Sequence, residues 1–256
     1  KVLMGWSIAM IAGVPLGGVL GDWFGWRGAL EVMAGLAMIT ALGTACLTRH
    51  RALNPGAAAP APTVLGVDQL KTALAVPMVK PLLAICFCSM LAFYAAYGFV
   101  GAHARALYDA GAGAVSVLAL GYGVGFAITG LVSGIIDRLG SARASLMANG
   151  GIVLVYLAMA PVASVSIGAL ATLMLAFGML NHMAINAFVS GLSAADPGQR
   201  GTILSINTGV TYAGFMVGST LAGALFDGIG FAAVAGLSAS VIAVATAISW
   251  RLWRQA

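Results

Sequence analysis

Long apolar runs alternate with short connectors along the whole chain, and most of the charge gathers in the connectors. A helix crossing the hydrocarbon of a bilayer needs roughly 20 apolar residues at about 1.5 Å each. On that measure the pattern predicts eight spanning helices, near residues 2–21, 29–48, 79–102, 112–136, 142–162, 166–192, 200–225 and 229–252. A closed β-barrel is the other structure that can span a membrane, and its strands alternate apolar and polar positions. The stretch from Gly168 to Leu180 is apolar at almost every position, which excludes that alternation. The predicted fold class is therefore all-α, a polytopic membrane helix bundle of about eight transmembrane helices.

Composition agrees with the pattern. Hydrophobic residues make up 61% of the 256 residues and charged residues 7%, too little charge for a soluble domain of this length. All seven carboxylates (Asp22, Glu31, Asp68, Asp109, Asp137, Asp196 and Asp227) fall near the end of a run or in a connector. If the first run starts in the cytoplasm, Lys1, Arg49, Arg51, Lys71, Lys80, Arg138, Arg143, Arg200, Arg251 and Arg254 all fall inside, and only Arg27 and Arg105 outside. Positive residues concentrate on the cytoplasmic side, so both ends of the chain are expected there. The net charge of +5 is then a feature of the inner leaflet. The basic residues are dispersed over separate loops, which argues against nucleic acid as a partner. Alanine and glycine richness with short loops fits a bacterial inner membrane.

The connector at residues 49–78 differs from the rest. Pro55, Pro60, Pro62 and Pro77 break it, and it reads as a cytoplasmic linker with a short surface helix near Val67–Ala75. The chain opens on Lys1 at the membrane edge, without Met, which suggests a fragment. An internal repeat points the same way. Gly18-Val19-Leu20-Gly21-Asp22-Trp23-Phe24-Gly25-Trp26 lines up with Gly223-Ala224-Leu225-Phe226-Asp227-Gly228-Ile229-Gly230-Phe231, 205 residues later. Repeats of this kind are common in transporter folds. If six spans form one unit, four spans are expected before Lys1.

Enzymatic chemistry finds no support. No Ser/His/Asp or Cys/His arrangement stands at useful spacing. Gly121-Tyr122-Gly123-Val124-Gly125 has glycine spacing like a nucleotide loop, but it lies inside a span with no preceding strand. His50, His103 and His182 belong at different membrane depths and cannot share a metal. Cys46, Cys86 and Cys88 read as buried structural thiols. No cofactor or metal is expected. The chemistry left is that of polar residues inside the spans, which are costly in hydrocarbon unless they face the bundle interior or a wet cavity. Tyr94 and Tyr97 share a face of the third span, Tyr122 sits in the fourth, His182 and Asn186 share a face of the sixth, and Asn207 and Thr211 lie along the seventh. They are the candidates for lining a central pocket, with His182 the titratable one. Interhelical hydrogen bonding is the alternative for each.

Three motifs carry a family resemblance. Gly13-Val14-Pro15-Leu16-Gly17-Gly18, followed by Gly21-Asp22-Trp23-Phe24-Gly25-Trp26-Arg27, resembles the fifth helix and outer turn of major facilitator superfamily transporters, most closely the proton-coupled drug and sugar efflux branch. Ser133-Gly134-Ile135-Ile136-Asp137-Arg138-Leu139-Gly140 is similar to the superfamily's cytoplasmic loop motif, and Asp196-Pro197-Gly198-Gln199-Arg200-Gly201-Thr202 resembles the start of the eleventh helix. The resemblance covers the chain as helices five to twelve. It implies that residues 1–48 are the last two helices of an N-terminal bundle, 49–78 the linker and 79–256 a C-terminal six-helix bundle. It further implies a transporter that acts as a single unit and moves a small-molecule substrate by rocking two bundles, with protons as the coupling ion. Gly13, Pro15, Gly17, Gly18 and Gly21 would seal the bundles together on one side. Asp137, Arg138 and Gly140 would form a conformational latch on the inner side. An uptake permease, a membrane sensor or scaffold, and a channel are the competing readings.

Overall fold

The computed structural model describes residues 13–49, 66–131 and 139–255. All regular structure among them is helical. The first helical segment, α1 (Val14–Arg49), is continuous in sequence but not straight. Thirty-six residues in one straight helix would run about 54 Å, against a hydrocarbon core of roughly 30 Å. Gly25 breaks it, with φ 70° and ψ 173°. Positive φ is a conformation that glycine adopts without the Cβ penalty. A Cβ placed on Gly17 would lie 3.7 Å from the Cε of Met33, two positions about 24 Å apart on a straight helix. The chain therefore doubles back at Gly25, and its two limbs correspond to the predicted spans 2–21 and 29–48. Where a connector was expected at 22–28, a single residue makes the turn. Gly230, aligned with Gly25 in the internal repeat, also has positive φ (103°) and separates the last two helices.

The remaining helices are α2 (Val67–Ala75), α3 (Val79–Tyr108), α4 (Ala112–Leu131), α5 (Ser141–Ala163), α6 (Ile167–Ala195), α7 (Arg200–Gly228) and α8 (Phe231–Gln255), with one 3-10 turn at Pro197–Gln199. They match the predicted spans closely, and α2 has the bounds expected for the surface helix. Among the described residues, six helical segments are long and apolar enough to cross a membrane, and one of them, Leu16–Cys46, holds both limbs of α1. A shorter apolar stretch, Val115–Gly130, lies in α4. Their ends follow local chemistry. Ser166 accepts a hydrogen bond from the amide of Ala169 (3.0 Å) and starts α6, and Asp196 accepts one from Gly198 (2.8 Å) at the turn before α7. Gly140, with φ 76°, precedes α5.

Helices α3 to α8 pack around one apolar core. The closest pairs are α4 with α6, α3 with α7, and α5 with α8. Two of these pairs are set by glycine. A Cβ on Gly121 would sit 2.5 Å from the carbonyl oxygen of Ala171, and one on Gly125 would run into the carbonyl of Leu175. Gly178 meets α4 in the same way, at the Tyr122 carbonyl. On the opposite side, Gly214 and Gly218 of α7 lie against the Phe87 and Leu91 carbonyls of α3. Small residues let backbones approach closely where lipid offers no hydrophobic drive for helices to associate. Pair α5–α8 instead carries a polar knot. The Ser145 and Ser249 hydroxyls lie 2.9 Å apart, and the Asn149 amide nitrogen donates to both at 3.2 Å. The Tyr108 hydroxyl donates to the Ala163 carbonyl and ties α3 to α5.

The outer surface is apolar. Leu154, Met216 and Val244 are 68%, 65% and 53% exposed on α5, α7 and α8. A surface of this kind belongs in hydrocarbon rather than water. The first limb of α1 touches the bundle through α4.

Candidate substrate pocket

A cavity of about 270 Å³ lies near the middle of the bundle, between α3, α4, α6 and α7. Helix α3 gives it Met90, Phe93, Tyr94 and Tyr97, one face at three- and four-residue spacing. Tyr122 comes from α4, and Asn207 and Thr211 from α7. Helix α6 contributes Asn181, Ile185, Phe188 and Val189. The rings pack on one another. Phe93 stacks on Tyr97 (centroids 4.9 Å, planes 14° apart), and Tyr122 lies 5.0 Å from Tyr97 and 5.6 Å from Phe93. Offset and tilted contacts at these distances stabilise aromatic clusters beyond simple burial.

The polar groups of the wall divide into engaged and unengaged. The Asn181 amide nitrogen donates to the Tyr122 hydroxyl at 2.7 Å. The Thr211 hydroxyl donates to the carbonyl of Asn207 at 2.9 Å and lies 3.4 Å from the Cys86 sulfur. The Tyr97 hydroxyl and the Asn207 side-chain oxygen are buried without a hydrogen-bond partner. Each such orphan costs about 1–3 kcal/mol in a dry site. No Asp, Glu, Lys or Arg is among the described residues that line the cavity.

Of the residues singled out from sequence, the pocket brings together Tyr94, Tyr97, Tyr122, Asn207 and Thr211. It does not bring in His182 or Asn186. The cause is rotation: one position beyond Asn181, the roughly 100° step of a helix turns His182 onto α4. There its ring lies 4.2 Å from that of Phe126 and against Gly130, with Nδ1 buried and unpartnered. Asn186 is half-buried. Asn181, Met90 and Phe93 are pocket residues not singled out from sequence. The i, i+4 spacing of Phe93 with Tyr97 was the one visible sign.

The motif residues fall differently. Asp137 and Arg138 lie outside the described residues. Pro15 stands in the first turn of α1. Among the described residues, a Cβ added to Gly13, Gly21 or Gly140 would meet nothing within 4 Å, and one on Gly17 would meet only the Met33 methyl at 3.7 Å. Gly18 faces a second cavity, about 400 Å³, between α1, α3, α4 and Met174 of α6, which shares Tyr97 with the central pocket and has Arg105 at its wall. Next to it is a contact that sequence reasoning missed. Asp22 accepts a hydrogen bond from the backbone amide of Gly113 at 2.6 Å, 91 residues away at the start of α4. A carboxylate there meets the positive end of the helix dipole. Gly111 and Gly113 leave it room, since a Cβ on Gly113 would lie 2.8 Å from the carboxylate oxygen.

Comparison with known proteins agrees with this architecture. Residues 2–196 match the model of the Major Facilitator Superfamily. Over 253 residues the chain is 27% identical to an uncharacterized MFS-type transporter, YwfA, of Bacillus subtilis (strain 168). That alignment covers 97% of this chain and 60% of the relative, so the chain spans about 60% of the length of the curated protein it matches. With the apolar spans of the bundle, the match over most of the chain makes this a multi-pass membrane protein that belongs to the major facilitator superfamily.

Proposed function

We propose that this protein is a secondary active transporter, which moves a small organic solute by alternating access and exports it in exchange for protons. The observation that carries the reading is the central pocket, an aromatic wall at mid-helix depth with two buried polar groups unspent. Buried groups without a partner also occur at Ser89, Asn149 and His182, but Tyr97 and Asn207 share one cavity of a size that admits a small solute. Tyr94, Tyr97, Tyr122, Asn207 and Thr211 contact the solute. His182 and Asn186 act from outside the lining, His182 at the α4–α6 seam. The described lining holds no carboxylate, so the coupling proton rides on a group elsewhere.

Residues 1–48 belong to a first helical bundle, 49–78 to a cytoplasmic linker and 79–256 to a second bundle. The ten-to-two distribution of basic residues supports cytoplasmic placement of both ends in a bacterial inner membrane. Gly13, Pro15, Gly17, Gly18 and Gly21 form the seam that closes between bundles, and Asp137 with Arg138 and Gly140 the latch on the inner side. The protein works as a monomer.

The natural gene product in proteoliposomes under an imposed pH gradient tests the reading. Saturable solute movement driven by the gradient, opposite to the proton flow, is expected. Movement in the same direction as the protons makes it an uptake permease. Ion current without solute makes it a channel, and no flux at all leaves a scaffold.

A further inference from the structure

The chemistry of the central pocket narrows the solute further, and this step rests on the pocket being the solute site. We infer that the pocket selects a neutral, planar aromatic solute bearing N–H donors, over polyols and over organic anions.

Shape comes first. Five rings (Phe93, Tyr94, Tyr97, Tyr122 and Phe188) line a cavity of about 270 Å³, together with Met90, Ile185 and Val189. A flat ring system gains contact from such walls through offset and edge-to-face packing. The volume suits a body of two fused rings rather than an extended chain.

Polar supply and demand come second. The Tyr122 hydroxyl already accepts from Asn181, and the Thr211 hydroxyl already donates to the Asn207 carbonyl. The Asn207 side-chain oxygen, which can only accept, and the Tyr97 hydroxyl, which can do either, have no partner at all, and the Tyr122 hydroxyl keeps its proton to donate. An N–H donor on the solute satisfies Asn207. A second polar atom beside it satisfies Tyr97. A primary carboxamide on an aromatic ring supplies both.

Exclusion comes third. A sugar brings more hydroxyls than this wall has open partners, and each hydroxyl left unpaired in a dry site costs about 1–3 kcal/mol. A carboxylate would be desolvated without a counter-charge, because no Lys or Arg lines the described wall. The same rule that turns away the anion leaves a neutral molecule unpenalised.

The test uses four probes of graded chemistry: naphthalene-2-carboxamide, methyl 2-naphthoate, 2-naphthoate and sucrose. The natural gene product in nanodiscs carries Val189→Cys in the pocket wall, with Cys46, Cys86 and Cys88 replaced by Ala. Protection of that thiol from a maleimide reads occupancy of the pocket, and titration calorimetry reads affinity. The carboxamide should protect and bind at least tenfold more tightly than the ester, with no protection by 2-naphthoate or sucrose. Asn207→Ala should bring the carboxamide down to the ester's affinity and leave the ester unchanged. Tyr97→Phe, which keeps the ring, should weaken the carboxamide severalfold and serves if Asn207→Ala does not fold. Equal protection by ester, anion or sugar overturns the inference and leaves the pocket standing as the solute site. Failure of every probe to protect, or an equal effect of Asn207→Ala on amide and ester, also overturns it. Calorimetric binding of the carboxamide without protection of the thiol overturns the reading of the pocket itself.

Discussion

Glycines four apart occur in two regions of this protein with opposite consequences. In α4 and α7, Gly121 with Gly125 and Gly214 with Gly218 are pressed against carbonyls of the neighbouring helix, so that a single methyl group has no place to go. In the first limb of α1, Gly13, Gly17 and Gly21 repeat at the same spacing, yet among the described residues a Cβ there meets nothing closer than 3.7 Å. The two stripes are the same in sequence. Their difference teaches that small-residue spacing licenses close approach without saying whether a neighbour is present. A filled stripe holds the bundle together. An open one leaves room for a partner, which the proposed seam between bundles would need.

The sharpest break of that comparison is Gly125→Leu set against Gly17→Leu. Gly125→Leu should cost at least about 3 kcal/mol, because the whole side chain must displace the Leu175 backbone, and should abolish a monodisperse peak in fluorescence-detected gel filtration. Gly17→Leu should leave that peak in place and abolish solute flux. If Gly17→Leu transports like the wild type, the open stripe is ordinary surface.

The Asp22 contact refines the same contrast, since its carboxylate accepts from the Gly113 amide and helps fasten the open limb of α1 to α4. Asp22→Ala should release about 1.5–3 kcal/mol of that fastening. Ser116→Cys, behind the contact in the second cavity, should then label with maleimide several times faster than in the parent. Unchanged labelling would mean that apolar packing alone holds the limb.

A smaller effect is expected inside the bundle at α5–α8, where polar groups replace glycine as the means of adhesion. Asn149→Ala should lower stability by about 0.6–1.7 kcal/mol, the range for interhelical hydrogen bonds in membranes. Thermal melting of the purified protein checks it, and the Ser145–Ser249 pair should soften the loss by remaining joined.

Much of the fold was legible in the sequence because length and hydropathy decide what crosses a bilayer. The bounds of α2, and of α3 and α5 to α8 to within a few residues, follow from apolar runs and from the Pro, Gly, Ser and Asp residues that stop or start them. The pocket was legible only in part. Tyr94, Tyr97, Asn207 and Thr211 announce themselves as polar groups in apolar spans. Which way α6 is rotated depends on its pairing with α4, fixed by Gly121, Gly125 and Gly178 through contacts 50 to 56 residues apart in the chain. That rotation swaps Asn181 into the pocket and His182 out of it. The Asp22–Gly113 bond was invisible for the same reason, since nothing local to either residue names the other.

The measurement that tests the central claim most directly is two-sided thiol labelling of Val189→Cys in the cysteine-free natural gene product, reconstituted in oriented membranes. Membrane-impermeant maleimide is applied from one face and then the other, before and after a cross-link that holds the first limb of α1 to the start of α4. Alternating access predicts labelling from either face in the free protein and from the inner face alone once the outer contact is locked. Labelling from both faces regardless of the cross-link would make the pocket part of a continuous pore, and labelling from neither face would make it sealed core. Either result would contradict the account.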